Sequence, residues 1–122
     1  QAVASNGLLF VSGQLGLRPE SGELAGDGLD EQARQALANL AAILSAGGVS
    51  MNSVLVVDVY LTDMEDFARF NAIYQEYFQD HTPARAVVAV KALPKEGCVE
   101  IKCIAQLQNA LDARSGVATG LQ

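Results

Sequence analysis

An arginine stands in a strand-like run of small apolar residues, Ala84-Arg85-Ala86-Val87-Val88. Burying an unpaired guanidinium among such residues costs free energy, so Arg85 needs an anionic partner. The planar fork of the guanidinium suits a bidentate clamp on the carboxylate of a small substrate. The alternative is a structural ion pair with Asp58 or Glu100.

A carboxylate lies in a second strand-like run. Glu100 stands between Val99 and Ile101, where it could hold a water molecule for attack on a substrate, or could simply be solvated. Arg85 and Glu100 share a face only in certain strand registers, because a one-residue slip reverses every side chain. Either the register or a bulge brings them together, or one pocket draws them from different subunits.

Two further positions could line a small-molecule site. Ser12-Gly13 could contact a ligand, since a glycine lets the backbone come close, or it could be an ordinary strand end. Asn71 falls on the aromatic face of a predicted helix, so its amide needs hydrogen-bond partners. It could touch the substrate or brace a loop, and bracing is the favoured role.

The other reactive residue types predict no additional chemistry. His81, the only histidine, is expected to cap the end of a helix. Cys98 and Cys103 are only five residues apart in the sequence, on one predicted strand whose extended backbone keeps the two thiols from forming a disulfide, and neither has an activating base nearby. The sequence therefore predicts no metal site and no bound cofactor.

The composition limits the classes of function. The 122 residues are enough for one domain, and half of them are hydrophobic, which leaves apolar surface for a partner subunit. The net charge of −6 argues against a nucleic-acid partner, because binding phosphates needs clustered basic residues. No apolar run could span a membrane and no signal-peptide pattern is present, so we expect a cytoplasmic protein, unless an organellar targeting segment has been removed.

Two local patterns describe the first half of the chain. β-forming residues at 2–4 and 8–14 flank Asn6-Gly7, which predicts a hairpin. From Leu29 the apolar residues recur at helical spacing, with Asp27 as the expected N-cap and Gly47-Gly48 as the stop.

The second half alternates strands with one helix. Residues 54–61 form a predicted strand, in which Leu55 is expected to share a face with Val57. A helix is expected between Thr62-Asp63 and His81-Thr82-Pro83. Residues 84–90 and 99–107 are then expected to pair as an antiparallel hairpin.

The predicted order is β-β-α-β-α-β-β, an α+β fold with both helices on one face of the sheet. The other face is rich in Val and Ala and needs cover, for which another copy of the chain is the simplest candidate. Residues 1–108 form the predicted domain, and residues 109–122 are expected to be a tail that begins with a short helical turn.

Several ordered motifs resemble the RidA/YjgF family, which is also known as the endoribonuclease L-PSP family. The likeness covers residues 1 to 107 and rests on these segments: Leu9 to Gln14, Gln32 to Leu37, Phe70-Asn71 with Tyr74, Pro83-Ala84-Arg85, Leu93-Pro94, and Val99-Glu100-Ile101 with Ala105. Together they form a specific match, whereas each alone would be weak.

The resemblance implies a chorismate-mutase-like fold and a homotrimer whose sheets form a central barrel, with clefts between subunits. Members of the family hydrolyse 2-aminoacrylate and related enamine or imine acids to 2-keto acids and ammonia, which protects pyridoxal-phosphate enzymes from damage. By position, the resemblance makes Arg85 the carboxylate clamp and Glu100 the water-holding residue. It places Ser12, Gly13, Asn71 and Val87 around the substrate.

Two features depart from the family pattern. Many members carry a cysteine two residues after the arginine, where this chain has Val87. A pocket tyrosine of the family lies ahead of the segment that matches Gln1, where this sequence does not extend. Two other functions remain open: a non-catalytic protein that binds 2-keto acids, and a ribonuclease or translation inhibitor, which the acidic charge disfavours.

Overall fold

The computed structural model describes residues 1–107, in which two helices pack against one face of a five-stranded sheet. The strands are β1 (Ala2–Ser5), β2 (Leu8–Leu15), β3 (Val54–Leu61), β4 (Ala84–Ala89) and β5 (Val99–Gln106), and the helices are α1 (Leu29–Ala46) and α2 (Phe67–Tyr77). The predicted α+β class and element order are confirmed. The predicted tail, residues 109–122, lies outside the described residues.

The hairpin predicted at the start of the chain is confirmed. Asn6 and Gly7 both have positive φ angles, of 54° and 78°, as a tight two-residue turn requires. β1 and β2 then pair antiparallel, with Ser5 opposite Leu8. Asn and Gly adopt this conformation at low cost, which is why the turn could be found from sequence.

The helix α1 follows its predicted pattern, with one difference at its start. Its apolar face is buried against the sheet at Leu29, Ala33, Ala36, Leu37, Leu40 and Leu44. The predicted Asp27 cap is wrong, because the N-cap is Gly28 and no side chain caps the helix. Gly47 ends it, and its backbone N–H donates to carbonyls of the last turn.

The helix α2 is shorter than predicted. Asp63 caps a 3₁₀ turn, Met64–Asp66, by accepting a hydrogen bond from the N–H of Glu65, and α2 follows that turn directly. The helix ends at Tyr77, four residues before His81. The prediction that His81 caps α2 is therefore wrong. Its ring Nε2 instead lies at hydrogen-bond distance from the carbonyl oxygen of Val54, where β3 begins.

The strand order is β1-β2-β5-β3-β4, so the predicted β4–β5 hairpin is wrong. β4 pairs in parallel with β3, through α2 as the crossover, and β5 lies antiparallel between β2 and β3. The loop after β4 passes over the end of β3: the N–H of Val90 donates to Leu61, and the carbonyl of Cys98 accepts from Thr62. This loop has nine residues, 90–98. They are enough to cross from β4 over β3 to β5, which is two strand spacings of about 5 Å each.

A register shift in β3 changes which side chains face the helices. Between Val54 and Val56 the pairing with β5 is irregular, and this bulge buries Val54 completely while leaving Leu55 44% exposed. The prediction that Leu55 shares a face with the buried Val57 is therefore wrong.

The two faces of the sheet differ in cover. On the helical face, alternate residues of β5 (Val99, Ile101, Cys103 and Ala105) are at most 2% exposed. The opposite face, here named the open face, includes Phe10 and Val88, which are 40% and 45% exposed. Neither α1 nor α2, the two α-helices of the described part, has the length and apolarity needed to cross a membrane.

Candidate functional site

Arg85 lies on the edge strand β4 and points to the helical face, where α2 receives it. Its Nη1 donates a 2.7 Å hydrogen bond to Oδ1 of Asn71. The guanidinium carbon lies 4.5 Å from the centroid of the Tyr74 ring and 5.8 Å from that of Phe67. These four residues form what we name the Arg85 cluster, in which one amide and two aromatic faces hold a cation in place.

No carboxylate neutralises Arg85 in the part of the chain that the structure describes. The ion pairs there join Arg34 to Glu76 and Arg69 to Asp30 and Asp66. The ion pair with Asp58 or Glu100 that the sequence left open is not formed, because both carboxylates lie on strand positions that face away from the helices. Arg85 is therefore a half-buried cation whose remaining N–H groups can donate hydrogen bonds to an external anion.

A small cavity of about 180 Å³ opens beside Arg85. It is lined by Asn71, Tyr74, Gln75, Phe78, Thr82, Pro83 and Arg85. Since a water molecule takes up about 30 Å³ in the liquid, this volume suits a molecule of a few heavy atoms. Val87 follows on the same face of β4 and packs partly against the core, so the next wall along the strand is apolar.

Asn71 braces Arg85 through its amide oxygen. Both residues are half-buried, and the amide oxygen of Asn71 points at a strand side chain fourteen positions later. Tyr74 follows Asn71 by one helical turn, and its ring lies against the same guanidinium. This contact was not predicted from the sequence. The signal was present, because residues three apart on a helix share a face.

Glu100 lies on the open face of β5, half-buried, with Leu15 and Tyr60 as its cross-strand partners. Gly13 stands against its carboxylate so closely that a Cβ on Gly13 would overlap the Glu100 side chain. The register between β2 and β5 shifts at Ser12 and Gly13, so this segment is a β-bulge and not a plain strand end. Glu100 and Gly13, together with Ser12, which precedes Gly13 in the same bulge, are named the Glu100 cluster.

The structure keeps the two clusters apart within one chain. Arg85 pairs with Val57 of β3, whereas Glu100 pairs with Tyr60, on the far side of that strand. Two strand spacings across and three residues along separate their Cα atoms by roughly 14 Å, and their side chains leave opposite faces. Neither register nor bulge brings them together, so a shared pocket would need different subunits.

The thiols and the phenol of this region are held in their neutral forms. Burial raises the pKa of the Cys103 thiol to about 12, and it also raises the pKa of Cys98. Burial raises the pKa of Tyr74 as well, against an opposing effect of Arg85. Nucleophilic chemistry by either cysteine is thus disfavoured. Within residues 1–107, no group of three or more His, Cys, Asp or Glu side chains is placed to hold a metal ion.

The chain is similar to proteins of a known family along residues 1–107. The family model described as Endoribonuclease L-PSP matches residues 1–107. Solved structures of RidA and YjgF proteins share the fold along most of the chain. The chain belongs to the RidA/YjgF family.

Individual members of the RidA/YjgF family show how near the relation is. A RutC family protein of Pyrococcus horikoshii is 46% identical over 105 residues, which cover 86% of this chain and 83% of the relative. The 2-iminobutanoate/2-iminopropanoate deaminase of Mus musculus is 49% identical over 105 residues, or 86% and 78% of the two chains. The crystal structure of E. coli TdcF with bound serine matches with a TM-score of 0.83 and 37% identity, over 88% of this chain and 87% of that one.

Proposed function

We propose that this chain is a hydrolytic deaminase that converts 2-imino and 2-enamino acids, such as 2-aminoacrylate, into 2-keto acids and ammonia. The observation that carries the proposal is Arg85: a half-buried guanidinium held by Asn71 and Tyr74, with no carboxylate partner within residues 1–107. Relatives at nearly half identity carry the deaminase name. The site would act in the cytoplasm, without a metal or cofactor.

The Arg85 cluster is suited to bind the carboxylate that all these substrates share. Two parallel N–H···O bonds fix both position and orientation of a planar carboxylate. Because Asn71 takes up one donor and Tyr74 supports the cation from its face, the fork is arranged before the substrate arrives. TdcF, which binds serine in its solved structure, supports a small amino or keto acid as the ligand.

The Glu100 cluster is suited to hold the water. Glu100 accepts a proton from the water as its oxygen attacks the imine carbon, which gives a carbinolamine. The same carboxyl returns that proton to the nitrogen. The hydroxyl proton of the carbinolamine then passes to the nitrogen as the C–N bond breaks and the C=O bond forms, which releases a 2-keto acid and ammonia. An enamino acid such as 2-aminoacrylate first becomes the imine by moving one proton from its nitrogen to C3. Because Gly13 has no side chain, the Glu100 carboxylate can lie directly against its backbone.

A homotrimer would bring the two clusters together. Arg85 lies on the edge strand β4, where it can meet a neighbouring copy, and Glu100 lies on the open face, which α1 and α2 do not cover. One subunit would supply the Arg85 cluster and the next the Glu100 cluster. Apolar side chains such as Phe10 and Val88 would then be buried between copies.

The test of the proposal is keto-acid release from 2-aminoacrylate generated by a dehydratase. We expect wild-type protein to accelerate the release and Arg85→Ala to lower kcat/KM by about 100-fold, since a lost charge-assisted clamp is worth about 3 kcal/mol. Arg85→Lys keeps the charge but not the fork and should recover only part of the rate. Equal acceleration by wild type and Arg85→Ala would contradict the assigned role of Arg85.

A second candidate is a non-catalytic protein that binds small carboxylates in the same pocket, which the serine bound to TdcF also favours. Calorimetric binding of pyruvate without any imine turnover would select it. A ribonuclease activity has weaker support, because acidic residues outnumber basic ones by 14 to 8. The guanidinium of Arg18 also donates hydrogen bonds to the carbonyls of Leu24 and Ala25, which leaves fewer of its N–H groups for a phosphate.

A further inference from the structure

The helix α1 carries a glutamine that is buried in the core. Gln32 is 1% exposed, and both ends of its amide are used. Its Nε2 donates to the carbonyl of Gly26 at 2.8 Å, and its Oε1 accepts from the N–H of Cys98 at 2.8 Å. The glutamine thus joins the loop before α1 to the residue that precedes β5.

The contact places α1 directly behind the strand of Glu100. Gly16 directly follows β2, and a Cβ on Gly16 would overlap the backbone of Gln32. The helix α1 and the end of β2 are therefore packed as closely as a glycine allows. The carbonyl of Cys98 accepts a 3.2 Å bond from the N–H of Thr62. Cys98, two residues before Glu100, is therefore held at its N–H by a side chain and at its carbonyl by the β3 end.

A second amide of α1 holds the neighbouring strand. Nδ2 of Asn39 donates to the carbonyls of Leu15 and Leu17, at 3.2 and 2.9 Å. Leu15 is the residue of β2 that pairs with Glu100. Gln35 donates a 2.9 Å bond to Oδ1 of Asn39, which sets the orientation of that amide.

We infer that Gln32 and Asn39 are positioning residues for Glu100, acting through the backbones of Cys98 and Leu15. The inference rests on the proposed hydrolysis, in which Glu100 must hold water at a set distance from the imine carbon. The Gln32 amide holds the backbone two residues before Glu100, and the Asn39 amide holds Leu15, the partner of Glu100 in β2. Arg85 depends on α2 instead, so the two helices orient different parts of the site.

If the amides of Gln32 and Asn39 only stabilised the fold, replacing them would speed hydrogen exchange across the whole molecule. If they position Glu100, exchange should become faster only in the strand segments that they bond. We would measure hydrogen exchange of the 122-residue chain by mass spectrometry for wild type, Gln32→Met and Asn39→Leu. The positioning role predicts exchange at least about tenfold faster in residues 97–103 for Gln32→Met and in 13–17 for Asn39→Leu. Residues 82–88, which carry Arg85, should exchange as in wild type.

The kinetic counterpart is a separation of kcat from ligand binding. Because small misplacements of a catalytic group cost rate, each variant should lower kcat by about 10- to 100-fold. The dissociation constant for pyruvate, set by Arg85, should change by less than about twofold. Gln79→Met is the control with the same change of side chain at an exposed position, since among residues 1–107 the Gln79 amide bonds the carbonyl of Glu76 at the end of α2.

Each result decides the inference. Local loosening with a reduced kcat and unchanged pyruvate binding supports it. Exchange that rises across the whole chain, or local loosening with wild-type kcat, overturns it, as does exchange that is unchanged in both variants. If Gln32→Met does not fold, Asn39→Leu makes the same decision for β2. Absence of turnover by wild type would instead overturn the proposed function, while the exchange data would still show whether the amides hold the Glu100 strands.

Discussion

The Arg85 cluster and the Glu100 cluster are built in opposite ways. Arg85 is supported by residues of one helix, Asn71 and Tyr74, that precede it by 14 and 11 positions. Glu100 stands against Gly13, which is 87 positions away, and its strand is held from α1. The first cluster depends on a local βαβ unit, whereas the second depends on the meeting of distant strands.

The contrast has a functional meaning. Binding a carboxylate needs a rigid, charged fork, which an aromatic helix face and one amide can provide. Holding a water molecule needs a carboxylate at a fixed place, and the missing side chain of Gly13 leaves room for the Glu100 carboxylate there. Arg85 and Glu100 lie on opposite faces of the sheet. Mixing two variants that each lack one of these side chains therefore tests whether neighbouring subunits share the site.

The largest effect is expected when two inactive variants are mixed. Arg85→Ala and Glu100→Gln should each be nearly inactive alone. If neighbouring subunits share each site, unfolding and refolding them together should restore about one quarter of wild-type activity, because a random trimer forms that fraction of intact pairs. The measurement is keto-acid release before and after co-refolding. Refolding each variant by itself is the control, and no recovery in the mixture would contradict a site shared by Arg85 and Glu100 of neighbouring subunits.

A smaller effect is expected from Gly13→Ala. The added Cβ would displace the carboxylate of Glu100, which is the flexible end of a half-exposed side chain. We therefore expect kcat to fall by about tenfold while the free energy of unfolding changes by less than about 1 kcal/mol. Gly28→Ala is a matched control, because its Cβ would also meet a glutamate carboxylate, that of Glu31, away from both clusters. A normal kcat in Gly13→Ala would show that Glu100 tolerates displacement.

The smallest effect concerns the ring beneath Arg85. The hydroxyl of Tyr74 is buried and has no hydrogen-bond partner among the described residues. Tyr74→Phe should therefore raise the free energy of unfolding by about 1 kcal/mol, since it removes an unsatisfied group and keeps the ring. Tyr74→Leu should lower it by about 2 kcal/mol and weaken pyruvate binding. Urea unfolding compares the three proteins; a destabilised Tyr74→Phe would mean that the hydroxyl has a partner.

Local patterns were enough for some elements and misleading for others. The Asn6-Gly7 turn and the apolar face of α1 each follow from residues that are close together in the sequence. Both predictions are confirmed. The β4–β5 hairpin was predicted from a short loop, yet β5 pairs with β3 and β2 instead. A sheet edge and a sheet centre can have similar local sequences, because pairing is chosen by burial over the whole sheet.

The amino-acid sequence by itself determined the family, the element order and the residue types of the candidate site. Arg85 needs an anion because of its own charge and its apolar neighbours, and this requirement needs no coordinates. Tertiary structure decided which face each side chain takes, which helix supports it, and that Arg85 and Glu100 lie apart. The reason is that a strand alternates its faces with every residue, so one bulge or one choice of partner strand reverses a placement that no local pattern records.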